Sequence, residues 1–158
     1  MIARTPAQRR ALLDRVRSIA VVGASANPLR PSYTVFSYLR TQTAFEITPI
    51  NPAIAAIDGV AAYPSLAAYA RERGAPDLVV VFRRIAELPA VVAETVASGA
   101  KAIWFQYGLV DAGAIAAAEA GGLDVVVDRC VKVEHARFSG ALATGGLNSG
   151  LITSRRRA

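Results

Sequence analysis

Four stretches of this chain carry residue types suited to holding an anionic ligand. The first is Gly23-Ala24-Ser25-Ala26-Asn27-Pro28-Leu29-Arg30-Pro31-Ser32-Tyr33. Glycine and small residues let the backbone approach a ligand, and a helix that follows aims its first amides at an anion. Arg30 adds a full charge, Ser25, Ser32 and Tyr33 add donors, and Asn27 lies between them. A pyrophosphate is the natural occupant; an ordinary tight strand-to-helix turn is the alternative. The second stretch, Asn51-Pro52, either meets a ribose or adenine or simply forms a turn. The third, Phe82-Arg83-Arg84, ends a very apolar run in two cations. Phe82 can flank a purine and either arginine can meet a phosphate. Cations at a helix start oppose the macrodipole, a cost that a ligand anion would offset. The fourth, Gln106-Tyr107-Gly108, offers an amide and a glycine, whereas Trp104 just before it reads as core.

Several familiar chemistries are missing. Gly23-x-Ser25 stands where a dinucleotide fingerprint would have Gly-x-Gly, and no third glycine follows in place. No Gly-Lys-Ser/Thr occurs, so there is no nucleoside-triphosphate loop. Ile50-Asn51-Pro52-Ala53 has no acid to hold ribose hydroxyls, which weighs against NAD. One cysteine, Cys130, allows no internal disulfide, and with one histidine, His135, it cannot supply a zinc site of Cys/His type. On a helix these two would lie about 140° apart, outside nucleophile–base reach. No catalytic residues and no metal ligands are assigned.

The elements that must position the four stretches alternate along the chain. Five apolar runs read as strands: 18–23, 46–50, 77–82, 101–106 and 124–128. None alternates cleanly between apolar and polar, as expected of parallel strands covered on both faces. Helical stretches follow at 32–40, 64–73, 86–98, 111–120 and 131–137, with Gly74, Gly99 and Gly121-Gly122 as stops. This is an α/β pattern, a doubly wound parallel sheet of about five strands. Thr5-Pro6 starts an extra N-terminal helix, with Leu12, Leu13 and Val16 on one side. The expected organisation is an amphipathic helix in 1–17, a ligand-binding domain in 18–138 and a flexible Gly/Ser/Thr-rich tail in 139–158. In such a sheet ligands bind beyond the carboxyl ends of the strands, where all four stretches fall.

Hydrophobic residues make up 53% and charged residues 19% of the sequence, a globular composition. The apolar runs are strand-sized, too short for a bilayer, and no signal-peptide block follows the N-terminus. The chain reads as soluble and cytoplasmic. Its formal charge is +6, but residues 1–17 carry +4 and residues 151–158 carry +3, so the body nets −1. That distribution argues against nucleic acid and reads as a solvated helix face plus a frayed tail. A homo-oligomer stays open.

Taken in order, these pieces resemble the CoA-binding domain family, related to the nucleotide-binding domain of the succinyl-CoA synthetase α subunit. The matching pieces are Val22-Gly23-Ala24-Ser25 with Arg30-Pro31-Ser32-Tyr33, Pro49-Ile50-Asn51-Pro52, Val81-Phe82-Arg83-Arg84, and 99–108. Asp128-Arg129-Cys130 and Glu134-His135 complete the series. The resemblance implies a Rossmann-like fold with coenzyme A as ligand, Gly23 to Ser25 on the pyrophosphate, and Asn51-Pro52 and Phe82-Arg83 beside the adenosine. One departure is Ala53, where relatives often carry a lysine suited to the 3′-phosphate; Arg83 or Arg84 would have to substitute. The related synthetase uses a phosphorylated histidine from a second domain, a role that His135 does not match. Cys130 reads as a small buried cysteine, or as a thiol that meets a bound thiol in a mixed disulfide. The resulting expectation is a stand-alone module that binds CoA or acyl-CoA. The alternatives are an NAD(P)-dependent oxidoreductase and the CoA-binding half of a multi-subunit acyl-CoA ligase.

Overall fold

A computed structural model of the chain describes residues 1–140. All five expected strands are present: β1 (Ser18–Val22), β2 (Glu46–Ile50), β5 (Leu78–Val81), β6 (Ala102–Phe105) and β7 (Asp124–Val126). They form one parallel sheet in the order β2-β1-β5-β6-β7. Two short strands that the sequence reading did not anticipate, β3 (Ala56–Ile57) and β4 (Val60–Ala61), form a hairpin after β2. Its turn is Asp58-Gly59, both at positive φ (47° and 79°), the pairing that favours a two-residue hairpin turn.

Successive strand residues face opposite sides, and each side has its own helices. Ile19, Val21, Ile47, Leu78, Val80, Trp104 and Val126 pack on one face against α1 (Pro6–Asp14), α2 (Pro31–Gln42) and α6 (Val131–Ser139). Ala20, Val22, Ile50, Val79, Val81, Ile103 and Phe105 pack on the other against α3 (Leu66–Arg73), α4 (Leu88–Ala97) and α5 (Ala112–Ala120). This is a doubly wound, Rossmann-like α/β fold. Burial on both sides explains why no strand alternates in polarity.

The helices follow from local sequence. In α2, Ser32, Val35, Phe36 and Leu39 are buried at i, i+3, i+4 and i+7, one stripe facing the sheet. Phe36 and Leu39 are fully buried, each stabilising the fold by about 1.5–3 kcal/mol. Thr5 and Gln8 form a capping box at α1, Ser65 caps α3 and Asp111 caps α5. The expected 86–98 helix begins instead as a 3-10 turn, Ile85–Glu87, before α4.

The N-terminus departs from expectation in one respect. Arg4, Arg10, Arg15 and Arg17 are exposed, as a solvated face requires, but Arg9 is buried. Its Nε lies 2.8 Å from Glu134 Oε2, while Arg137 Nη1 lies 3.0 Å from Glu134 Oε1. The second contact pairs the charges without hydrogen-bond alignment, and Arg137 Nε has no partner. Side-chain exposures of 4%, 1% and 4% make this a dry ionic cluster that clamps α1 to α6. A cation so deep is tolerated only because a carboxylate is buried with it. The tail expected in 139–158 lies, from residue 141 on, outside the described residues.

Candidate functional site

In an all-parallel sheet every strand exit lies at one edge. β1 and β5 are neighbours there, but the chain leaves them toward opposite faces, into α2 and α4. This is the topological switch, where the exits part to leave a crevice.

Gly23 sits at the switch with φ +81°. Its amide donates to the Ile50 carbonyl at 3.0 Å, and the Phe82 amide donates to the Val22 carbonyl at 2.8 Å. A Cβ on Gly23 would stand 1.9 Å from the Phe82 carbonyl oxygen and 3.3 Å from Arg83 Cδ. No side chain fits, so glycine is required both for conformation and for space. Ala24 is fully buried behind it. The Ser25 amide donates to Ser32 Oγ at 3.2 Å, and Ser25 Oγ accepts from the Asn27 amide at 3.0 Å. Asn27 in turn accepts from the Leu29 amide through Oδ1 at 2.9 Å. These bonds shape the loop that feeds α2. Arg30 is the N-cap of α2 and provides no capping bond, so its guanidinium stays exposed beside the helix N-terminus.

Asn51 works as a latch. Its Nδ2 donates to the Ala24 carbonyl and its Oδ1 accepts from the Ala53 amide, both at 2.9 Å. Both amide atoms of its side chain are therefore engaged within the protein, joining the β1 and β2 exits, and Pro52 beside it is exposed. Tyr33, in the first turn of α2, donates its hydroxyl to Asp58 Oδ2 at 2.9 Å. That hydrogen bond to a carboxylate raises the Tyr33 hydroxyl above its ordinary range, with burial adding to the effect. Arg40 Nη1 donates to the Asp58 carbonyl at 2.7 Å, so the hairpin tip lies along α2.

At the β5 exit, Phe82 is half-buried against the core and Arg83 is half-buried beside Gly23. Arg84 differs: its amide and Nε both donate to Glu87 Oε2, at 3.1 Å. Glu87 therefore offsets the cation at this helix start, and Arg84 needs no ligand to explain it. Among the described residues, the Arg30 and Arg83 side chains make no hydrogen bond or salt bridge, although the Arg83 charge, after Arg84, helps hold the Glu87 carboxyl below its usual range.

Gln106 and Gly108 lie two strand spacings from β1, at the β6 exit, roughly 10 Å along the edge. Gln106 is 6% exposed; its Oε1 accepts from the Val131 amide at 3.2 Å, but its buried Nε2 has no partner. The Gly108 amide donates to Asp128 Oδ1 at 2.8 Å. Asp128, which the site assignment from sequence did not include, holds φ +54° to make that contact. Cys130 is buried at the N-cap of α6, and His135 meets Tyr38 and Ser139 rather than Cys130. Trp104 is core, donating its indole N–H to the Arg129 carbonyl at 2.7 Å. Gly23, Ser25, Arg30, Ser32, Tyr33, Asn51, Phe82 and Arg83 thus gather around the β2, β1 and β5 exits, with Gln106 and Gly108 further along.

Two hollows lie elsewhere. One, of about 490 Å³, is at the opposite edge of the sheet, where Lys101 pairs with Asp77 and Arg15 with Asp124. The other, of about 230 Å³, lies beside His135 and Phe45. Charges in the first are already matched, whereas Arg30 and Arg83 at the switch make no salt bridge.

The CoA binding domain family model matches residues 17–136. The chain belongs to the CoA-binding domain family. Uncharacterized protein YneT of Bacillus subtilis is 39% identical over 131 residues, 82% of this chain and 93% of that protein. The solved structure of a hypothetical protein from Pyrococcus horikoshii is 32% identical, with TM-score 0.79, covering 86% of this chain and 93% of that one. A dinucleotide-forming acetyl-coenzyme A synthetase of Ca. Korarchaeum cryptofilum shares the fold at 20% identity and TM-score 0.59. The match covers 68% of this chain and 25% of the synthetase. No helix among the described residues of this CoA-binding domain is long and apolar enough to cross a membrane.

Proposed function

We propose that this CoA-binding domain holds coenzyme A or an acyl-CoA across the β1/β5 switch, as a binding module. The pyrophosphate lies over Gly23–Ser25 at the N-terminus of α2, between Arg30 and Arg83. The adenosine is bordered by Asn51-Pro52 and Phe82, and the pantetheine arm runs past Gln106 and Gly108. One observation carries this reading. A loop that excludes any side chain at Gly23 adjoins a helix N-terminus and two arginines without ion-pair partners. Backbone amides, a helix dipole and guanidinium groups are the donors that a pyrophosphate takes. Ser32 Oγ, now on the Ser25 amide, can yield that donor to a phosphate oxygen.

A thermal-shift titration tests the reading. At a hundredfold excess over Kd, CoA adds about 2.7 kcal/mol to the folded state. That is a rise in Tm of roughly 5–10 °C for a domain of this size. A shift with NAD and none with CoA overturns the reading in favour of a nicotinamide-dependent oxidoreductase.

A further inference from the structure

Asn51 and Gln106 each place a side-chain amide at a strand exit, but only Asn51 has both amide atoms engaged. Gln106 is 6% exposed, and its Oε1 accepts from the Val131 amide at 3.2 Å. A backbone N–H needs an acceptor, so this bond fixes the orientation of the Gln106 amide and makes Nε2 the donor. Nε2 is buried and has no partner. Two other buried side-chain atoms among the described residues also lack a hydrogen bond, Glu134 Oε1 and Arg137 Nε. Both belong to the ionic cluster, where the opposite charge lies 3.0 Å away. Gln106 Nε2 has no such compensation, and a buried donor without an acceptor is costly.

The position of that donor says which acceptor it lacks. Val131 is the first residue of α6, so the Gln106 amide lies on the α2/α6 face of the sheet. The N-terminus of α2, where the pyrophosphate is proposed to sit, lies on the same face. A Cβ at Gly108 would meet nothing within 4 Å, so there is open room beside Gln106. From β1 to Gln106 the edge of the sheet runs roughly 10 Å. In an extended arm the two pantetheine amide carbonyls stand roughly 6 and 11 Å from the pyrophosphate, and a thioester carbonyl roughly 17 Å. The amides come level with Gln106, whereas the thioester lies beyond it. We infer that Gln106 Nε2 donates to an amide carbonyl of the pantetheine arm, and that through this bond the site distinguishes arm-bearing nucleotides from other adenosine diphosphate esters. The inference rests on the proposed CoA site. It makes the arm, rather than the acyl group, the feature that is read, so free CoA and a short acyl-CoA bind alike.

The test is titration calorimetry with dephospho-CoA and ADP-ribose, which share the adenosine pyrophosphate and differ in the arm. The full natural chain binds dephospho-CoA tighter by about tenfold or more. Gln106→Glu keeps an acceptor for the Val131 amide, at a helix N-terminus that favours its charge, but turns the donor into an acceptor. It lowers the ratio of the two affinities by roughly five- to thirtyfold. CoA and acetyl-CoA bind the natural chain within about twofold of each other. A ratio that Gln106→Glu leaves unchanged overturns the inference and leaves the CoA site standing. A preference for acetyl-CoA over CoA of about tenfold or more does the same, because the thioester is then what is read. If the variant does not fold, amide NMR of the natural chain decides. Dephospho-CoA moves the Gln106 Nε2 proton signals downfield and ADP-ribose does not; signals unmoved at saturation with dephospho-CoA overturn the inference. No binding of dephospho-CoA, CoA or acetyl-CoA by the natural chain overturns the CoA site itself, and the inference with it.

Discussion

Replacing Gly23 with alanine separates two costs that meet at the switch. The first is conformational: φ is +81°, and an L-residue in that region is destabilised by about 1–2 kcal/mol. The second is steric. The added methyl would lie 1.9 Å from the Phe82 carbonyl oxygen and 2.8 Å from its carbon. These are backbone atoms, so no rotamer change relieves the clash, and the β1 and β5 exits must move apart. Overpacking of that kind costs about 1–3 kcal/mol. It also strains the Gly23–Ile50 and Phe82–Val22 hydrogen bonds, each worth about 1 kcal/mol. The expected loss is about 3–5 kcal/mol, a large part of the 5–15 kcal/mol typical of a whole domain. Gly122→Ala is the control. Gly122 has φ +82°, but a Cβ there meets nothing within 4 Å. It bears only the conformational cost, about 1–2 kcal/mol. Urea unfolding of both variants, with m-values unchanged, yields the difference directly. Equal losses, within about 0.5 kcal/mol, would refute the claim that the exits close against Gly23.

Two further outcomes follow from a buried and a half-buried group on the α1/α2/α6 side. Glu134→Leu leaves Arg9 and Arg137 buried without a counter-charge and costs about 3–5 kcal/mol in urea unfolding; a loss below about 1 kcal/mol would mean that the cluster is wet. Burial pushes the His135 imidazole below its ordinary 6.5. The folded state therefore favours neutral His135, and the stability present above pH 6.5 declines as pH falls through that value toward the lower folded pKa. Urea midpoints measured from about pH 7.5 to 5.5, above the carboxylate range, should fall for the natural chain and fall less for His135→Gln. Identical slopes in the two proteins would assign the decline to other groups.

Much of the architecture was legible because doubly covered sheets leave a plain mark. Runs such as Leu78–Val81 are apolar without alternation, since both faces are buried. Capping residues and the glycines after α3, α4 and α5 marked the helix ends locally. The hairpin was readable too, since Asp58-Gly59 is a strong two-residue turn signal, but strands of two residues give no periodicity to notice. At the candidate site, the small residues of Gly23–Ser25 and the arginines at the strand exits were visible as types. What their side chains do was not: Arg84 serves Glu87, Asn51 joins two loops, and Asp128 receives the Gly108 amide.

The sequence by itself determined the order of the five main strands and the helices between them, the α/β class and the edge at which the candidate residues collect. These depend on contacts close along the chain and on the side-chain periods of strand and helix. Only the tertiary structure decided the strand order β2-β1-β5-β6-β7, which places Gly23 against Phe82 across 59 residues of chain. It likewise decided that Arg9 is buried, because its partner Glu134 lies 125 residues away. An arginine reads as solvated in any local window. It becomes a core residue only when a distant carboxylate is brought to it, since a buried charge is stable only with its counter-charge.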